Sequence, residues 1–112
     1  MAARKLLKLV AEPTFKAKVG FPLTGLNDQG ESEEAEIIFT FKHKTKSELE
    51  KFMNSRKDVD DLTTFLEIVV GWDLDDEFTK ENVEILLENH INVALRALTV
   101  YVEELVKARV GN

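Results

Sequence analysis

The chain has 112 residues, 44% of them hydrophobic and 32% charged, with a formal net charge of −6. That length suits one domain around one core, and the acidic excess runs against nucleic-acid binding, which needs a basic surface to displace phosphate counterions. The chain has no cysteine, which excludes disulfides, thiol catalysis and thiolate metal sites together. A single domain over 1–112 is expected, with strands over about 14–43 and helices over about 47–110.

The first residues are basic and apolar, but Lys8 and Glu12 interrupt the apolar run. A signal peptide needs a continuous one, and no stretch approaches the length of a membrane-spanning helix. The protein is therefore expected to stay in the compartment where it is made. Leu6 to Val10 is expected to add an edge strand. Phe15, Ala17, Val19 and Phe21 alternate with Lys16, Lys18 and Gly20, which places the apolar set on one face of a strand. Pro22 ends it. Residues 24–34 carry Gly25, Asn27, Asp28 and Gly30 and read as a long loop. Ile37, Phe39 and Phe41 form the apolar face of a second strand, giving an antiparallel hairpin. The basic residues Arg4, Lys5, Lys8, Lys16, Lys18, Lys42, Lys44 and Lys46 interleave with strand positions. They read as a solvated sheet face rather than a phosphate-binding patch.

About four helices follow. Thr45 or Ser47 caps the first, in which Leu49, Phe52 and Met53 share a face, and Ser47 with Glu50 has capping-box spacing. Asp58 is expected to cap the second, with Val59, Leu62, Leu66 and Val69 at helical spacing and Gly71 as its stop. Thr79 caps a third, with Val83, Leu86 and Leu87 inward and Asn89 near its end. The last runs from about Ile91 to Arg109, with Gly111 beyond. Ile91, Leu95, Leu98, Val102 and Leu105 are taken as its main stripe. Val93, Ala94, Ala97, Val100 and Tyr101 make its first turns apolar on other sides as well. Such a helix is either central in the core or shared with a partner.

Few groups suggest chemistry. Asp73, Asp75, Glu77, Thr79, Glu81 and Glu84 fall at the ligand places of a calcium loop. The sixth place is Phe78, however, where the turn requires Gly. Acids gathered at a helix N-terminus are the simpler reading. His43 and His90 lie in different elements without a matching ligand set. There is no nucleophile elbow and no phosphate-binding glycine loop. No catalytic, cofactor or metal residue is assigned, and no enzyme is expected. A protein-binding surface remains. Trp72 and Phe78 either anchor an interface or staple their connector onto the core.

Several features of the second half resemble the tail assembly chaperones of long-tailed, lambda-like bacteriophages. They are Gly71-Trp72, the helix start Phe78-Thr79 with Glu81-Asn82, Leu86-Leu87, Tyr101 and the close Ala108 to Asn112. The passage from Phe41 to Phe52 resembles the family too, so the likeness covers roughly residues 37 to 112. His90-Ile91-Asn92 stands where the family often has a Pro-Gly-like break. The resemblance implies an α+β fold, a small N-terminal sheet packed with a helical part. It also implies a role in tail morphogenesis in the host bacterial cytoplasm, with the tape-measure protein and tail-tube subunits as partners, alongside self-association. Trp72, Phe78, Val93, Ala97, Val100 and Tyr101 are the candidate protein-binding residues. A tail or head–tail component retained in the virion is the alternative, and a small metal-dependent enzyme on the acids at 73–84 a further one.

Overall fold

The computed structural model describes residues 4–107. Strand β1 (Thr14–Pro22) and strand β2 (Glu34–Lys42) form the expected hairpin around the loop at 23–33. Val19, Phe21, Ile37, Phe39 and Phe41 are buried, so period-two alternation places the apolar set on one face. Lys16 and Lys18 stand on the opposite face, with Lys18 3.9 Å from Glu36. The loop is organised by Asn27, whose Oδ1 accepts from the backbone N–H groups of Gln29 and Glu31, while Gly25 and Gly30 take positive φ.

Four helices complete an α+β fold: α1 (Lys46–Asn54), α2 (Asp61–Ile68), α3 (Lys80–Asn89) and α4 (Val93–Val106). Between α2 and α3 lies a strand that the sequence reading assigned to helix, β3 (Val69–Trp72), antiparallel to β2 and giving the sheet order β1-β2-β3. Val69 continues the helical spacing of Leu62 and Leu66, but α2 ends at Ile68 and Val69 is already extended. Gly71 is therefore a strand residue opposite Thr40 and not a helix stop. The β-branched pair Val69-Val70 favours this outcome. The register shifts between Thr40 and Phe41, leaving Val70 without an opposite residue. Val69 and Trp72 are three apart, and strict alternation would send them to opposite faces. The extra residue puts Val69 beside Phe41 and Trp72 beside Phe39, on the core side.

Three further expectations change. Leu6–Val10 makes no edge strand; it is exposed, irregular chain. Helix α1 is capped by Thr45 with Glu48, not by Ser47 with Glu50: Thr45 Oγ1 accepts from Glu48 N–H at 3.2 Å, and Glu48 Oε1 accepts from Thr45 N–H at 2.8 Å. Helix α2 is capped by Asp60, which has the extended backbone a cap requires and accepts from Thr63 N–H at 2.8 Å. Asp58, at φ 65°, sits in a left-handed turn instead. Thr79 caps α3 as expected.

The most consequential correction concerns α4. Its buried face is Val93, Ala97 and Tyr101, each fully excluded from solvent. Of the expected stripe, Leu98, Val102 and Leu105 are only partly buried, while Ile91 and Leu95 face solvent. The expected end at Arg109 and Gly111 lies outside the described residues. Two polar side chains fix the helix's rotation. Asn92 Nδ2 donates to Pro22 O at 3.1 Å, and Arg96 Nε donates to Gly20 O at 3.0 Å. Both carbonyls lie on the outer edge of β1. The odd-numbered residues pair with β2, as the bonds from Leu23 N–H to Glu33 O and from His43 N–H to Pro13 O define. Spaced i and i+4, Asn92 and Arg96 turn the adjacent Val93 and Ala97 onto the sheet. At the far end Tyr101 stacks on Phe15 and packs against Phe41 and Phe52, with centroids 5.9, 5.3 and 6.4 Å away. Its hydroxyl donates to Lys42 O at 2.8 Å. Burial, followed by the negative charges of Glu67 and Glu48, pushes its ionisation above the usual tyrosine range.

Tyr101→Phe should cost about 1–2 kcal/mol in urea unfolding, because Lys42 O loses its donor. Thr45→Ala should cost about 1 kcal/mol, and Ser47→Ala less than about 0.5 kcal/mol. The Glu48 carboxyl is held below its ordinary value chiefly by the Thr45 backbone N–H. A carboxylate with a lowered folded pKa contributes stability above its unfolded pKa and loses it as pH falls through the folded value. The stability gap between wild type and Glu48→Gln should therefore be full at pH 7 and close below about pH 4, as read by urea midpoints across pH.

Candidate functional site

Helix α3 presents Val83 to the core, completely buried, while Ile85 on another side is 58% exposed. Ile85 and Leu86 form one wall of an open groove of about 560 Å³. The loop end of the hairpin supplies the opposite wall through Phe21, Leu23, Ala35 and Ile37. Trp72 and Leu74, at the end of β3 and just beyond, complete the apolar lining. Glu36 and Asp76 supply negative charge, and no lysine or arginine lines the groove. Its volume falls in the range of ligand-binding clefts.

The connector from β3 to α3 is held rigidly enough to shape this groove. Trp72 meets Phe78 edge to face at 4.9 Å, and its indole N–H donates to Asp76 O at 2.7 Å. Asn82 Nδ2 donates to Glu77 O at 2.8 Å. Asp73 closes the strand end, accepting from Ile38 N–H at 2.9 Å while its own N–H donates to Ile38 O. At the other end of α3, His90 is the C-cap, and its ring lies 5.8 Å from Phe21.

These contacts also separate the six groups placed by spacing on a calcium loop. Glu81 and Glu84 belong to α3, Asp73 is committed to the strand end and Thr79 to a helix cap. Among the described residues, no three His, Asp or Glu side chains form a cluster able to hold a metal ion. None of the described helices is long and apolar enough to cross a membrane.

The six protein-binding candidates divide by position. Trp72 lines the groove and Phe78 supports it from behind. Val93, Ala97 and Tyr101 are consumed by the chain's own core, and Val100 packs partly buried against it. The structure thus does not bring the six together. Leu74 and Ile85, together with the hairpin-end residues Leu23 and Ala35, were not singled out from sequence. An apolar residue on the acid-rich face of α3, as Ile85 is, was the available signal.

A family model described as phage tail assembly chaperone matches residues 1–112, the whole chain. The chain belongs to this family. No curated protein and no solved structure matches it. The family gives this chaperone protein partners in tail assembly, and the groove is a largely apolar concavity with which to meet one.

Groove wall and core can be separated on α3 itself. Ile85→Asp should change unfolding free energy by no more than about 0.5 kcal/mol, since the side chain is largely exposed. Val83→Ala should cost about 2 kcal/mol by opening a cavity. Chemical denaturation of both variants checks the pair.

Proposed function

We propose that this chaperone binds the tape-measure protein during tail assembly by receiving amphipathic helical segments in the groove between the hairpin end and α3. The observation that carries the reading is the groove itself, with an apolar lining that includes Phe21, Ile37, Trp72 and Leu86 and with Asp76 at its connector side. Helix-in-groove recognition needs an apolar trough that accepts side chains at i, i+3/i+4 and i+7. A tape-measure protein, as a long helical chain, exposes such stripes until it is enclosed. Covering them reversibly keeps the chain soluble.

The acidic margin adds selectivity. Asp76 stands beside the groove, Glu36 at its edge is shared with Lys18, and Asp73, Asp75 and Glu77 lie exposed on the adjoining connector. Together they attract segments with basic flanks and speed encounter at low salt. Tail-tube subunits are further candidate clients for the same trough. A protein acting only during assembly is absent from the finished particle, in contrast to a retained tail component.

Coexpression with the tape-measure protein should yield a soluble complex that co-purifies, and Ile85→Asp should abolish co-purification while the variant stays folded by circular dichroism. Mass spectrometry of purified virions should find the tape measure without this protein. Co-purification unaffected by Ile85→Asp, or the chain in stoichiometric amount in virions, would contradict the reading.

A further inference from the structure

Every residue from 4 to 12 is exposed. Four of them are large aliphatics, with Leu6 at 91%, Leu7 at 86%, Leu9 at 100% and Val10 at 84% exposure. Single exposed aliphatics are ordinary, but four within five consecutive positions form an apolar patch of the kind that marks a contact surface. The same stretch holds Arg4, Lys5 and Lys8 against one acid, Glu12. Wound at about 100° per residue, the aliphatics fill one sector of about 160° and the four charged residues a separate one of about 100°. That is the pattern of a short helix lying in the plane of a membrane surface, its apolar face inserted and its cationic face among the headgroups.

We propose that residues 4–11 bind an anionic lipid bilayer as an amphipathic interfacial helix. Three observations select this partner. The first is composition. Protein interfaces draw much of their energy from aromatic anchors, and residues 4–12 contain no aromatic side chain. A bilayer asks only that apolar and cationic sectors be separate. The second is charge on the domain beside the segment. Thr14 lies opposite Lys42, so β1 begins where β2 ends. Lys16 and Lys42 are exposed at this end of the sheet, and neither pairs with an acid among the described residues. They extend the cationic surface of the segment onto the fold. The third is where acids of the hairpin lie. Pro22 is opposite Glu34, so Glu31, Glu33 and Glu34 sit at the far end of β1, about 26 Å away. That is about three screening lengths at physiological salt.

In water an isolated helix of this length is unstable, and the segment is irregular chain. The bilayer supplies the apolar surface against which it folds. Four aliphatic side chains, like a single acyl chain, give only marginal and reversible anchoring, and the cations supply the second signal. Neither the segment nor Lys16 and Lys42 lines the groove. A chaperone resting on a membrane therefore keeps its groove available to a client.

The full chain is mixed with vesicles of phosphatidylcholine alone, or of phosphatidylcholine with an equal amount of phosphatidylglycerol, and bound protein is read by co-sedimentation. Saturable binding is expected to the anionic vesicles only, reversed by added salt and accompanied by a gain of helical signal in circular dichroism. A basic residue at such a surface is worth about fivefold in binding. Lys5→Glu/Lys8→Glu should therefore weaken it at least tenfold, and so should Leu6→Asp/Leu9→Asp. All four positions are exposed, and the urea midpoints of both variants should match the wild type. Ile85→Asp, on the groove wall, should leave vesicle binding unchanged. Absence of binding to anionic vesicles, as when the segment docks on an acidic protein instead, would overturn the proposal. Equal binding to neutral vesicles, no gain of helix, or full binding by either double variant would overturn it too. So would loss of vesicle binding in Ile85→Asp, which assigns the contact to the groove.

Discussion

The seating of α4 on the sheet governs the rest of the molecule. Val93 and Ala97 carry small side chains, so the helix approaches β1 closely, and Tyr101 fills the space at its far end among Phe15, Phe41 and Phe52. The helix is pinned at both ends by side-chain bonds to strand carbonyls, through Asn92 and Arg96 near the hairpin loop and Tyr101 at Lys42. The bond to Lys42 O is part-buried, where losing the donor is costly, and the two exposed bonds to Gly20 O and Pro22 O form in the same rotation of the helix.

That choice divides the chain's apolar surface between core and contact. On the sheet, α4 packs along β1 and α2 packs against β2 and β3. The groove opens beside these helices, where Phe21, Ile37 and Trp72 line it together with Ile85 and Leu86 of α3. The bulge at Val70 then directs Trp72 to the same side, and the edge-to-face contact with Phe78 holds the acidic connector against the groove. Apolar floor and acidic margin are thus consequences of where the helices stop covering the sheet. The helix-binding role proposed for this chaperone calls for such a surface, apolar enough to bind and open enough to release.

Much of this was legible in the residues. The alternation of Phe15 to Phe21 and of Ile37 to Phe41 fixed two strands and the face each buries, because period two admits a single core-facing set. Thr79 with Val83 placed α3, since a cap followed by helical spacing has few other readings. The third strand was not legible, because Val69 fits a helical period as well as it fits a strand. Distinguishing them depends on β2 offering an unpaired edge, a fact about distant chain. The choice of Thr45 over Ser47 and of Asp60 over Asp58 was ambiguous for a related reason: caps two residues apart are equivalent until the preceding backbone direction is set.

By itself, then, the sequence determined an α+β chain with a long-looped hairpin, about four helices and, through its family, a part in phage tail assembly. Tertiary structure decided which of its hydrophobic residues are free to act. Val93, Ala97 and Tyr101 became core, while Ile85 and Leu74 stayed at the surface and Trp72 came to line the groove. A helix apolar on more than one side, as α4 is over its first turns, leaves its buried face open to more than one choice. The direction came from polar partners more than fifty residues away, at Gly20, Pro22 and Lys42.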